Sequence, residues 1–314
     1  MMKLVLGTMT FGPQVSLEDS KVILNMFLDA GYIEVDTAYV YNNGDTERIL
    51  GQILSSESYH YELATKVNPR ITGRIDRQSI LDQFNESLER MNRTSVDLLY
   101  FHFPDSITPI EESLEAIADL HSLGKVKEFG LSNFPAWKIV EIYYLCKANG
   151  WPVPSVYQGL YNGLSRTVES ELFPALRRLG MRFYAFNPLA GGLLSGKYSN
   201  FNEEPPEGRF TLRPNYQGRY WKKSFFDGLN ILDEKCRDFN IPIAEAAYRW
   251  LAHHSELDAS QGDGIIIGAS KTKQVEQNIK AVTKGELPKS ILEAFETAWL
   301  EAKPDCPSYF RYIT

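Results

Sequence analysis

The chain has 314 residues, 43% of them hydrophobic, and 33 Lys plus Arg against 40 Asp plus Glu give a formal net charge of −7 without long like-charge blocks. That balance argues against a nucleic-acid groove or a polybasic membrane surface, and no window approaches the roughly 18 consecutive apolar residues that a membrane span requires. Three widely separated cysteines, Cys146, Cys236 and Cys306, without CxxC spacing, read as ordinary thiols, and the N-terminal MMKLVLGTMTFG offers too short an apolar run for a signal peptide, so a cytoplasmic protein is expected.

Short runs rich in Val, Ile, Leu and aromatics alternate with longer segments of helical period, the rhythm of parallel βαβ units. A first strand is expected near 3–7, then a helix over 17–30 that stops at Gly31. A second strand near 33–36 ends at Asp36, with Tyr41 five residues on and a helix over 46–55. The third strand, near 61–66, ends on Lys66 and leads to a helix over 77–92. The fourth, near 96–101, runs into His102 and leads to a helix over 110–123, closed by Gly124. Strands near 126–131 and 155–158 flank a helix over 136–149, closed by Gly150; Ser132 and Asn133 follow the first of these strands and Gln158 closes the second. After a helix over 168–179, closed by Gly180, a seventh strand near 182–186 ends at Phe186. A helix over 243–254 precedes the eighth strand near 264–267, and a helix over 272–283 follows it. Glycine just past a helix is the usual left-handed terminator. Two segments stand outside the repeat: a Pro-, Gly- and aromatic-rich loop over 195–224, and an amphipathic helix over 289–302 with an aromatic tail expected to pack onto the body.

Eight such units predict one domain over 1–314, a (β/α)8 TIM barrel with a long active-site loop and a C-terminal helix plus tail. The competing open doubly wound sheet would carry a GxGxxG turn after an early strand, and none is present. In a parallel barrel all strands end on one face, so Asp36, Tyr41, Lys66 and His102 converge there. Singly, each reads as a cap, a solvated strand end, a semi-buried imidazole or loop packing; together they make a proton-transfer site. Tyr41 would be the proton donor, Lys66 would favour its phenolate, Asp36 would hold Lys66, and His102 would orient a carbonyl oxygen. A Schiff-base reaction on Lys66 is the alternative, disfavoured by the carboxylate beside it.

The segments VDTAYVYNNGDTERILG, ATKV, YFHFPD and GKVKEFGLSNF resemble the aldo-keto reductase superfamily, and the resemblance covers essentially the whole chain in order. The stretches YQGLYN, NPLAGGLLSGKY, GRF, YQGRYWK and CPSYFR resemble its branch of aflatoxin-aldehyde and succinic-semialdehyde reductases. The resemblance implies NADPH-dependent reduction of aldehydes, with ketones and dicarbonyls as further substrates, and a catalytic tetrad of Asp36, Tyr41, Lys66 and His102. It implies Ser132, Asn133 and Gln158 on the nicotinamide carboxamide and Phe186 stacked on the ring. Asn187, Pro188, Leu189, Gly191, Gly192 and Lys197 match the branch's pyrophosphate loop, where small glycines permit close backbone approach.

After the eighth strand, Gly268, Ser270 and Lys271 open a helix, and backbone amides with a cation there suit a phosphate. Lys271 and Arg209 are the expected partners of the 2′-phosphate, and Gln277 and Asn278 resemble adenine-side residues. Gln274 stands where many members carry an Arg. Tyr216, Arg219 and Arg311 match the branch's substrate side, with His102 on the carbonyl and Met9 a candidate for the apolar wall, and guanidinium suits a carboxylate because it binds it bidentately. Small carboxylate-bearing or aromatic aldehydes are therefore the expected substrates, with Trp221 a candidate for the apolar wall. Branch members are often dimers, so a homodimer is expected. A nucleotide-sensing regulatory subunit of the same fold is the alternative. The adjacent His253 and His254 lack a metal-binding pattern, and no metal is expected.

Overall fold

Alternation within each strand decides the architecture. The computed structural model describes residues 2–55, 60–205 and 208–312. Eight strands occur among the described residues: β1 (Lys3–Gly7), β2 (Glu34–Asp36), β3 (Glu62–Val67), β4 (Val96–Phe101), β5 (Val126–Ser132), β6 (Val156–Leu160), β7 (Arg182–Phe186) and β8 (Gly264–Ile267). Each pairs in parallel with its neighbours in chain order. β8 returns to β1, with Lys3 opposite Gly264 and Leu6 opposite Ile267, and the sheet closes into the expected barrel.

Successive strand residues point to opposite faces. Val5, Ala64, Leu98, Tyr100, Val156, Tyr184 and Ile266 form a small cluster of their own inside the barrel, whereas Leu4, Leu6, Val35, Leu63, Leu99 and Phe101 join the main core beneath the helices. Two residues beyond an interior position, the chain points inward again. Lys66 follows Ala64, His102 follows Tyr100, Ser132 follows Gly130, Gln158 follows Val156, and Phe186 follows Tyr184. Glycine at 130 is required by packing, because a Cβ there would lie 2.6 Å from the Tyr100 ring.

The helices are α1 (Leu17–Asp29), α2 (Asp45–Leu54), α3 (Arg77–Met91), α4 (Ile110–Ser122), α5 (Ala136–Asn149), α6 (Leu172–Leu179), α7 (Arg209–Leu212), α8 (Pro214–Tyr220), α9 (Lys223–Asp238), α10 (Ile243–His253), α11 (Thr272–Thr283) and α12 (Lys289–Ala302). Ser16 and Asp76 cap α1 and α3 by accepting the backbone N–H of Asp19 and Ser79, satisfying donors that a helix start leaves free. Among the described residues no helix is long and apolar enough to cross a membrane.

Three expectations change. The helix expected over 168–179 starts only at Leu172; Pro174 has no N–H to donate and fits the first turn of a helix but not its interior. The loop over 195–224 holds α7 and α8, because Phe210, Tyr220 and Trp221 bury against Tyr198, Phe225 and Phe226. Its residues 206 and 207 lie outside the described residues, as do Ile313 and Thr314 of the tail. Finally, α9 was not anticipated at all. Gly228 interrupts its helical pattern, yet it is the point where α9 meets α12, and a Cβ there would lie 2.8 Å from the Ala298 carbonyl oxygen. The tail does pack onto the body: the Tyr309 hydroxyl donates to Glu171 and accepts from the Ala136 N–H.

Candidate active site

At the C-terminal end of the barrel a cavity of about 820 Å³ opens, within the range of ligand sites, and Asp36, Tyr41, His102, Ser132, Asn133, Gln158 and Phe186 line it. Lys66 is fully buried beneath. Its Nζ donates to Asp36 Oδ1 at 2.5 Å and to the Thr37 carbonyl at 2.7 Å, and Gln158 Nε2 donates to Asp36 Oδ2 at 2.8 Å. Burial raises the Asp36 pKa and lowers that of Lys66, while each is drawn back toward its charged form by the other.

Tyr41 opens a 3-10 turn after β2, in which Asn42 and Asn43 take left-handed φ values of 51° and 56°. Asn42 holds that turn, donating to the Met9 and Phe11 carbonyls at 3.0 and 2.8 Å. The turn sets the Tyr41 ring 5.2 Å from Lys66 Nζ and 6.1 Å from the His102 ring, centroid to centroid. Here the sequence expectation needs correcting. Burial, reinforced by the Asp36 charge, pushes the Tyr41 phenol well above its ordinary value, so the net shift is upward and not the expected depression. The ammonium is taken up by Asp36 and lies beside the ring face, so Tyr41 stays a protonated donor.

His102 continues the β4 ladder, its N–H donating to the Val67 carbonyl at 3.0 Å. A residue that the sequence reading passed over decides its proton. Asn68 Oδ1 accepts the Arg70 N–H at 3.0 Å, which turns Asn68 Nδ2 toward His102 Nδ1 at 3.0 Å. Nδ1 is therefore the acceptor and Nε2 carries the hydrogen. Gln83 of α3 fixes Asn68 in turn, accepting its N–H at 2.8 Å and donating to its carbonyl at 3.2 Å. Burial and the charges of Lys66, Arg70 and Arg219 hold the His102 pKa well below its usual value, so the imidazole is neutral. A signal for Asn68 existed: it lies two residues past Lys66, on the same inward parity.

The remaining predicted residues fall on the cavity with few exceptions. Asn133, at φ 62°, donates through Nδ2 to the His102 carbonyl and to Ser132 Oγ. Asn187, also left-handed, donates to the Tyr220 hydroxyl, while the Tyr216 hydroxyl lies 3.5 Å from Asn187 Oδ1 and 4.0 Å from Met9 Sδ. Gly191, at φ 70°, has no room for a side chain, since a Cβ would meet Tyr216 and Tyr220 at 2.8 Å. Pro188, Leu189, Gly192, Lys197, Arg209, Arg219, Gly268, Ser270, Lys271, Gln274, Gln277 and Asn278 line the same cavity.

Gln274 Oε1 accepts the Ser270 N–H at 3.0 Å and so shapes the turn into α11. Arg213, unremarked in the sequence, donates to Asn42 Oδ1 at 2.7 Å and ties the α7–α8 segment to the Tyr41 turn. Arg311 is exposed outside the cavity lining, its N–H donating to the Asn133 carbonyl at 3.0 Å. Trp221 belongs to the aromatic core under the long loop, its indole N–H on the Phe201 carbonyl. His254 Nε2 accepts the Leu287 N–H, an architectural role. Burial pushes the Cys146 and Cys236 thiols up to about 12, which leaves both unreactive at neutral pH.

The arrangement can donate a proton from a buried phenol and a hydrogen bond from a neutral imidazole to one oxygen atom. Cations lie along the rest of the cavity. Among the described residues, Lys197, Arg209 and Lys271 make no ion pair, in contrast to Arg90, Arg166, Arg177 and Arg249 elsewhere.

The model of the Aldo/keto reductase family matches residues 3–299. The chain is 43% identical to human Aldo-keto reductase family 7 member A3 over 98% of this chain and 96% of that one. It is also 43% identical to Aflatoxin B1 aldehyde reductase member 2 of Rattus norvegicus, over 98% of this chain and 87% of the relative. It is 34% identical to Oxidoreductase sirO of Leptosphaeria maculans, over 95% and 91%.

Proposed function

We propose that this chain, which belongs to the aldo/keto reductase family and is an oxidoreductase acting on small carbonyl compounds, reduces aldehydes to alcohols with NADPH and favours those that carry a carboxylate. The observation that carries this reading is the meeting of a protonated Tyr41, a neutral His102 and the Lys66–Asp36 pair at the base of a cavity whose upper wall is cationic.

The cavity fits the cofactor. Amide groups of Asn133 and Gln158, the Ser132 hydroxyl and the Phe186 ring suit a nicotinamide; Gly191 and Gly192 bring backbone close to a pyrophosphate; Lys197, Arg209 and Lys271 lie ready for phosphate. Bound NADPH supplies the hydride. His102 Nε2–H orients the carbonyl by donating to its oxygen. Tyr41 gives that oxygen its proton as negative charge develops there, a favourable transfer despite the raised phenol pKa because an alkoxide is the stronger base. The resulting phenolate lies near the Lys66 ammonium, whose charge offsets part of the cost of forming an anion in a buried site.

The test is steady-state NADPH oxidation over a panel of acidic, aromatic and dicarbonyl aldehydes, run beside Tyr41→Phe. The variant should lose at least about a hundredfold in kcat, the scale of general acid catalysis, and should still quench on titration with NADPH. Unchanged turnover in that variant would remove Tyr41 from the mechanism.

A further inference from the structure

Arg70 lines the cavity, and beyond its influence on Asn68 and His102 its guanidinium has no assigned ligand. Three observations concern it. Its N–H is tied to Asn68 Oδ1, the same amide that holds His102, so the backbone at 70 is fixed relative to the imidazole. Its guanidinium lies 4.5 Å from the centre of the Phe103 ring, which stacks on His102 at 4.9 Å. Arg70, Phe103, His102 and Arg219 line one cavity.

The charges there are uncompensated. Among the described residues, neither Arg70, Arg219 nor Arg311 makes an ion pair, and of the three Arg219 is half-buried while Arg70 and Arg311 are exposed. The three are near enough to repel: the charges of Arg311 and Arg219 add to burial in lowering the Arg70 pKa. One carboxylate needs a single guanidinium fork, or two at most. Arg70 and Arg219 both line the cavity, so where one guanidinium meets a carboxylate the other is left to attract a second negative charge.

We propose that Arg70 provides a second anion subsite beside His102, so that the favoured substrates are short aldehydes bearing two acidic groups. This inference rests on the reductase reading above for its chemistry and on Arg70 for its selectivity.

Two measurements separate the two. In the first, kcat/KM at saturating NADPH is compared for benzaldehyde, 2-carboxybenzaldehyde and 4-formylphthalate. Wild type should prefer the dianion, and Arg70→Gln should lower the dianion-to-neutral ratio by about tenfold, the scale of one charge-assisted hydrogen bond. The ratio within one variant cancels any loss of folded protein. Arg70→Lys should restore part of it. In the second, calorimetry compares the unreactive anions phthalate and benzoate on the NADPH-loaded enzyme. Phthalate should bind more tightly, and Arg70→Gln should erase the difference. If neutral aldehyde is turned over but neither ratio depends on Arg70, the subsite is wrong and the reaction stands. If no aldehyde is reduced while phthalate still binds through Arg70, the subsite stands and the reaction is wrong.

Discussion

At the scale of single residues the decisive contact is a neutral one. Asn68 has no charge, yet by offering Nδ2 to His102 Nδ1 it puts the imidazole hydrogen on Nε2, where the cavity can use it. Asn68→Asp would place an acceptor at the same spot and reverse the tautomer. It should lower kcat by roughly ten- to a hundredfold, the worth of about 1–3 kcal/mol for a positioned hydrogen bond, with a smaller effect on NADPH affinity. The pH profile distinguishes this from simple loss of packing. His102 has a depressed pKa in the folded protein, so wild-type kcat should be flat through the ordinary imidazole pKa of about 6.5, whereas in Asn68→Asp the added carboxylate raises the imidazole pKa and kcat should rise as pH falls and protonation returns a hydrogen to Nε2. The sign for stability follows from the same depression. The unfolded chain takes up a proton on this histidine and the folded chain does not, so the neutral imidazole's contribution is complete above the unfolded pKa and is lost as pH falls below it. A wild-type kcat that titrates near 6.5 would contradict the neutral-imidazole assignment.

At the scale of elements, packing decides what local pattern leaves open. The eight strands were legible because each is a short apolar run bounded by turn residues, and the inward parity was legible because strand geometry has a period of two. By contrast α9 carries Gly228 in mid-helix, a residue that weakens a helical pattern and reads as punctuation. Its reason lies in α12, where the Ala298 carbonyl leaves no space for a Cβ. Gly228→Ala should therefore destabilise the protein despite alanine's better helix propensity, by about 1–3 kcal/mol, the usual cost of overpacking against backbone. Urea denaturation would show it, and an unchanged or raised midpoint would mean that the two helices can separate freely. The α7–α8 segment follows the same logic: its helices are too short to form alone and depend on the burial of Phe210 and Tyr220.

At the scale of the whole molecule, net charge and local charge oppose each other. The chain carries −7 overall, yet the cavity gathers Lys197, Arg209, Arg219, Lys271 and Arg70. A cleft of one sign raises the local concentration of an oppositely charged ligand, and salt screens that effect over about 10 Å at 0.1 M. For an anionic aldehyde kcat/KM should thus fall severalfold as ionic strength rises from about 0.02 to about 0.5 M, while an uncharged aldehyde of the same size should change little; parallel salt responses would count against a cationic entrance. The sequence by itself determined the closed barrel and the gathering of Asp36, Tyr41, Lys66 and His102 at one end, because both follow from period-two alternation and from the shared direction of parallel strands. Only the tertiary structure decided how those groups behave. Whether Lys66 acidifies Tyr41 depends on burial and on a carboxylate 2.5 Å away. The proton on His102 depends on an amide 34 positions earlier, and the crowding of Arg70, Arg219 and Arg311 depends on three separate segments of chain. Desolvation and charge proximity are properties of the folded neighbourhood, and no local pattern in the chain encodes them.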